Sequence, residues 1–442
     1  MSTPRLSMLT VGACILAAYN LFGSDPVPAA RQKRPVALVG GTIHPVSGET
    51  IPKGTILFDK GIITSVGVDV SIPADAERID VTGRHIYPGL IDANSAMGLI
   101  EIESVNGSND LSESGVINPN VRAEVAVNPE SELIPVARSG GVAVVATAPS
   151  GGIIAGASAA MMTDGWTWEE MTLKAPLGLV LNWPAMTYVR PRFQRQQTQE
   201  EWMKQRDSSL KLLRESFASA RAYMKARGAE GDKEVPYHKS DLRWEAMIPV
   251  LQKKTPVWVY ADELAQLQAA VSWAEQEGVN IVIVGGADSW RVTDQLKAKN
   301  VPVVITDVLN SPNRRFEDYD LVYSTPGKLR AAGVRFCIAG SKDPSFSRNL
   351  GHNAAAASAF GLSKEDALKA VTLWSAEILG IGEKVGSLEK GKDATLIITD
   401  GDPLEFSTTV EQMYIQGKRM DMRDKHKQLY GKYQEKYRQM KF

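Results

Sequence analysis

The sequence predicts an α/β protein in which a TIM-type (β/α)8 barrel is joined to a small composite β-sandwich. Two observations carry that prediction. Apolar strand runs alternate with amphipathic helices from about residue 88 to 385, and two stretches rich in short strands, 35–87 and 386–420, bracket them. Such alternation calls for parallel crossovers, and roughly 300 residues suit a closed barrel with insertions. A doubly wound open sheet has the same periodicity, so the pattern alone leaves both open. Neither β-rich end has strands enough to cover a core, which is why one sandwich assembled from both is expected.

The elements follow in order. Residues 1–30 begin with Arg5, continue as an apolar run from Leu6 to Leu21 and end in small residues and prolines. That is the layout of a secretory signal peptide, so export to the periplasm or the extracellular space is expected. The run falls short of the roughly 20 apolar residues of a membrane span, and no span is expected after cleavage. Cys14 reads as a cysteine of this apolar run rather than as a lipidation site. Only Cys337 then remains, which excludes an intramolecular disulfide. Between residues 35 and 87, VALVGGTIHP, GTILFDKGIITSVG and AERIDVTGRHIYPG read as short strands, with Asp59-Lys60-Gly61 at a turn.

In the middle, Thr198 and Glu201 form a capping box. Leu210, Leu213, Phe217, Ala220 and Met224 then step by three and four toward a stop at Gly228. This predicts an outer barrel helix. Arg190, Arg192 and Arg195 precede it in a segment expected to be a solvated loop. The clearest barrel stretch runs from PVWVYA through NIVIVGG to VPVVIT, with a helix in each gap. The strand style returns in GSLEKGKDATLIITDGDP and VEQMYIQGKRM. Residues 421–442 carry seven Lys or Arg, three acids and Tyr430, Tyr433 and Tyr437, and read as a solvated or docking terminal helix.

Composition excludes some functions. With 50 Lys plus Arg against 51 Asp plus Glu, the net charge of −1 lacks the basic excess that nucleic-acid binding leaves. The 43% hydrophobic and 23% charged content is that of an ordinary globular chain. Any site built on several histidines must draw on His44, His85, His238, His352 and His426.

The segment GRHIYPGLIDANSA, the bracketing β-rich ends and the run GSLEKGKDATLIITDGDP resemble the amidohydrolase superfamily, in its imidazolonepropionase-like and prolidase-like branch. The resemblance covers nearly the whole mature chain. It implies a metal-dependent hydrolase barrel that cleaves C–N bonds, with one or two divalent metals such as zinc activating water at the C-terminal face. It also implies a ligand pattern: a His-x-His pair after PGLID, a lysine or glutamate on the fourth strand, histidines on the fifth and sixth, and an aspartate on the eighth. Here the pair positions hold Asn94 and Ala96. LGLVLNWP offers Asn182, with Lys174 upstream in a shifted register. The fifth position holds Tyr260 and the sixth Gly285 and Gly286. On the eighth, Asp343 is the family acid displaced by a residue, or Lys342 has replaced it.

The expectation is therefore a superfamily member without the usual metal ligands and without a cofactor, catalytically silent or altered. It would bind a small molecule or act as a homo-oligomer or as the partner of a related active subunit. Tyr260, Asp262, Asp343, Arg348 and His352 are expected near the barrel mouth. Asp343, His352 and Tyr260 are the candidate acid/base residues, and Asn94, Arg348 and Asp262 the candidate ligand-binding ones. Asp262 and Asp343 could equally cap helices, and Arg348 could pair with an acid. The glycine-rich PSGGIIAGASAAMM could cradle an anion or simply permit close packing. The alternative is an active hydrolase with a mononuclear or metal-free site. A mouth plugged by Met97, Met161, Met162, Trp166 or Trp168 would favour the binding role.

Overall fold

The computed structural model describes residues 27–188, 197–229 and 239–440. The expected signal peptide with Cys14, the three arginines Arg190, Arg192 and Arg195, and His238 lie outside the described residues.

The chain opens with β1 (Val36–Ile43), β2 (Ile51–Asp59), β3 (Ile62–Gly67), β4 (Glu77–Asp80) and β5 (His85–Pro88). The barrel follows with β6 (Leu90–Ser95), β7 (Val142–Thr147), β8 (Ile154–Ala157), β9 (Ala159–Met162), a short β10 (Thr172–Lys174) and β11 (Leu179–Asn182). It continues with β12 (Val257–Ala261), β13 (Ile281–Gly285), β14 (Val303–Ile305) and β15 (Phe336–Ile338). The chain then returns through β16 (Leu396–Thr399), β17 (Val410–Ile415) and β18 (Lys418–Arg419).

Both ends meet in one eight-stranded sheet, because β16 pairs antiparallel with β5, placing Ile397 opposite Tyr87. One face of this sheet buries Leu38, Ile56, Phe58, Ile86, Leu396 and Tyr414, with the Phe58 and Tyr414 rings edge to face at 5.2 Å. Burial of these large side chains, each worth about 1.5–3 kcal/mol, makes the two ends mutually dependent. A second tie crosses to the barrel. Asp164, after β9, receives Lys418 Nζ at 2.6 Å, and the carboxylate is 1% exposed.

The barrel has the expected eight strand positions, with one departure. Strands β6, β7, β11, β12, β13, β14 and β15 are parallel where they pair. The third position is instead one run, interrupted at Ser158: β8 lies antiparallel to β11, and β9 antiparallel to β7. No ladder joins β15 to β6. The seam is closed by Gly340 N–H donating to Asp92 Oδ1 at 2.9 Å and Ala96 N–H donating to Lys342 O at 3.1 Å.

The capping box at Thr198 and Glu201 starts a helix over Gln199–Gly228, as the spacing predicts. It buries Leu213, Phe217 and Ala220, and Phe217 meets Trp273 edge to face at 5.0 Å. The helix thus lies on the outside of the barrel against the helix Leu264–Glu277.

Candidate functional site at the barrel mouth

Side chains from strands on opposite sides of the barrel converge at its C-terminal end. Residues 258 and 260 share a face of β12 by the strand's period of two. The Tyr260 hydroxyl donates to Asn94 Oδ1, at the end of β6, at 2.8 Å. Lys342, four residues past the end of β15, holds its Nζ 4.6 Å from the Tyr260 ring centroid and donates to the Pro149 carbonyl at 3.4 Å. Burial pushes the Lys342 ammonium down to about 8 and raises the Tyr260 phenol above its usual range. The amide of Asn182, ending β11, donates to the carbonyls of Gly152 at 3.0 Å and Gly151 at 3.5 Å. Those glycines therefore turn carbonyl oxygens toward Asn182, and this contact does not make them an anion cradle.

Three carboxyls lie around this group. Asp92 is fully buried, and burial pushes it up to about 6 against the hydrogen bonds from Gly340 and Asn94 backbone N–H groups. Asp262 is raised by burial and by the neighbouring charges of Asp307, Asp288 and Glu263, while Ala287 N–H donates to it. Asp307 is raised by burial too, partly offset by a hydrogen bond from Ser341. Asp262 and Asp307 line a cavity of about 130 Å³ with Thr306 and Asn310. Gly285 belongs to the same packing: its φ is +99°, and a Cβ there would stand 2.4 Å from Asp262 Oδ1.

Asp92 yields a pH prediction. Its carboxyl titrates at about 6 in the folded chain, against 3.8 ordinarily, so between those values the folded state holds a proton that the unfolded state has released. Stability from this group is therefore lost as pH rises through that window, by up to about 3 kcal/mol. Asp92→Asn keeps an acceptor for Gly340 N–H and is expected to flatten the slope. Urea titrations at about pH 4.5 and 7 measure it, and equal slopes in both chains would contradict the assignment.

The structure separates the remaining expected site residues. Asp343 is exposed and caps the turn Pro344–Asn349, accepting from Ser345 N–H at 2.9 Å and Ser345 Oγ at 2.7 Å. Arg348 is exposed and contacts His426 Nε2 at 2.6 Å. His352 lies in the helix Leu350–Ala359 against Phe406, with ring centroids 5.0 Å apart. The adjacent Gly351 packs near Leu90, at the start of β6, which is the barrel floor. Past Lys342 the chain thus turns into a helix that carries these residues away, and Asp343 and His352 form no acid/base pair. Lys174 also lies elsewhere, donating to the carbonyls of Leu379 at 3.2 Å and Gly380 at 3.1 Å. His44 and His85 face each other in the sheet at 3.0 Å, where burial and then His85 push His44 down to about 4. Trp166 is 62% exposed and plugs nothing, whereas Met97, Met161 and Met162 are buried.

Asp92 and Asp307 were not among the expected site residues. Asp92 stands inside PGLID, and Asp307 directly follows the last apolar run of VPVVIT, so a strand-end rule applied to every strand finds Asp307. Among the described residues, no group of three or more His, Cys, Asp and Glu is arranged to hold a metal ion.

An eight-strand barrel closed on a sheet from both ends of the chain is the architecture of amidohydrolases, and the comparisons agree. The amidohydrolase family pattern matches residues 268–420. The amidohydrolase tasK of Hapsidospora irregularis is 23% identical over 389 residues, covering 82% of this chain, which spans 39% of that protein's length. The crystal structure of an amidohydrolase from Thermotoga maritima MSB8 superposes with a TM-score of 0.79 at 28% identity, covering 88% of this chain and all of that one. A Xaa-Pro dipeptidase with methionine in its active site shares the fold, with a TM-score of 0.52 at 14% identity, covering 88% of this chain and 100% of that one. Together these matches support assigning the chain to the amidohydrolase superfamily.

Proposed function

We propose that this chain is an exported amidohydrolase-fold protein whose barrel mouth works without the family's metal set and holds a small polar ligand. One observation carries the reading: at positions where the resemblance implies metal ligands, Tyr260 contacts both Asn94 and Lys342. The donor set does not suit a dication. Asn94 and Asn182 are amides, Ala96 and Gly285 have no donor, the Tyr260 hydroxyl is committed to Asn94, and Lys342 brings a competing positive charge. A hydrolase built on Asp343, His352 and Tyr260 is disfavoured, because Asp343 is taken up in capping Pro344–Asn349, His352 packs on Phe406, and the Tyr260 hydroxyl is bound to Asn94. Asp262, Asp307 and Asn310, around the small cavity, supply acceptors and an amide for a ligand with amine or hydroxyl groups.

The test is elemental analysis of the full chain, purified from cells grown with added zinc, manganese and iron and then dialysed. Far less than one metal per chain is expected, and a stoichiometric metal that survives dialysis would overturn the proposal. Tyr260→Phe and Lys342→Met should leave the metal content unchanged.

A further inference from the structure

The helix Lys425–Gln439 stands apart from the body of the protein. Asp424 caps it, accepting from His426 N–H at 2.8 Å and Lys427 N–H at 3.0 Å. Its first turn is tethered by His426 to Arg348 and by Lys425 to Glu132 at 3.9 Å. Beyond that turn no hydrogen bond or ion pair to the body is seen among the described residues, and none of its residues is buried. A lone helix of this length is marginal in water, so a surface that covers one face would stabilise it.

The helix has such a face. At 3.6 residues per turn, Leu429, Tyr433, Met440, Tyr437 and Tyr430 fall within an arc of about 100°. They are 40%, 49%, 50%, 58% and 68% exposed. Lys425, Lys432 and Lys436 border the arc on one side, and Lys427 and Arg438 on the other. The only acid of the helix, Glu435, lies on the opposite face.

We propose that this helix is an arm that lies flat in the headgroup layer of an anionic lipid bilayer. The charge pattern chooses the occupant. Cations on both borders of the stripe meet a negative plane along both edges, while their apolar stems and the tyrosine rings reach below it. A second copy of the same helix is disfavoured, since it would set five cations against five. Tyrosine, with an apolar body and a polar tip, suits the interfacial layer rather than the hydrocarbon interior. The first turn, where His426 on the same face meets Arg348, is the tether, and from Leu429 to Met440 the stripe is exposed and open to a flat surface.

The experiment is co-sedimentation of the full chain with vesicles of phosphatidylcholine alone and of phosphatidylcholine mixed equally with phosphatidylglycerol. Binding is expected only to the mixed vesicles and should weaken as salt is raised. Lys432→Gln with Lys436→Gln should weaken it about 25-fold, at about fivefold per charge. Tyr430→Gln, Tyr433→Gln and Tyr437→Gln together should abolish it. Unaltered thermal melts would show that the body remains folded in these variants. No binding to the mixed vesicles, equal binding to both kinds, or binding unchanged in both variants would overturn the proposal. So would lipid-free self-association of the parent chain that the tyrosine variant lacks, which would make the stripe a protein contact.

Discussion

Trp258→Ala is expected to destabilise the chain by about 3–5 kcal/mol, the range for removing a large aromatic side chain from a core. The indole is fully buried in β12, one pleat below Tyr260 on the same face, so it underlies the mouth. It also packs against backbone: a Cβ on Gly178 would stand 2.1 Å from its Cδ1, leaving no side chain on that neighbour able to fill the space. The cavity would open beneath the Tyr260–Asn94 hydrogen bond, so the ligand binding proposed for the mouth should fall together with stability. Urea unfolding measures the first effect, and a loss below about 1 kcal/mol would show that the indole is not a support of the barrel. Gly178→Ala reaches the same place from the other side and should cost about 1–3 kcal/mol by overpacking.

Lys418→Ala is the second large effect. It removes the cation that faces Asp164, leaving a carboxylate 1% exposed with the Ala29 N–H at 3.2 Å and the more distant charge of Arg138. Breaking a buried pair from one side costs about 3–5 kcal/mol, because the remaining charge is stranded. Replacing both members, as Asp164→Asn with Lys418→Met, should recover most of that loss. If the single and double variants unfold at the same urea concentration, the pair is not what joins the returning strands to the barrel.

How much of this was legible beforehand depended on which kind of signal each part used. The two β-rich ends were readable because short alternating strands bounded by Gly, Asp and Pro have few other interpretations, and β5 pairing with β16 follows once neither end can close a core alone. The helix Gln199–Gly228 announced both its cap and its stop. The direction of the third strand was hidden, since IIAGASAAMM is apolar apart from Ser158 and has no pattern that distinguishes its ends; only its pairing with β7 and β11 decides it. The site was half readable. Asn94, Tyr260 and Asp262 sit at strand ends, and strands are rigid enough for sequence position to translate into place. Asp343, Arg348 and His352 follow the turn after β15, where one residue of register separates Lys342 at the mouth from Asp343 on a solvated cap. Asp92 was overlooked because its task, closing a seam between two strands that share no ladder, has no periodic signature.

The reversed strand also changes what can be built on this protein. In a barrel whose strands all rise, each contributes its last residue and the following loop to the rim, giving eight equivalent places to graft a new group. Here the third strand descends, so its rim position is its beginning, Ile153 and Ile154, and its last residues, Met161 and Met162, point an engineer toward the base. A library that randomises strand ends by counting from the C-terminal side would therefore spend one-eighth of its diversity on the foundation of the fold rather than on its opening.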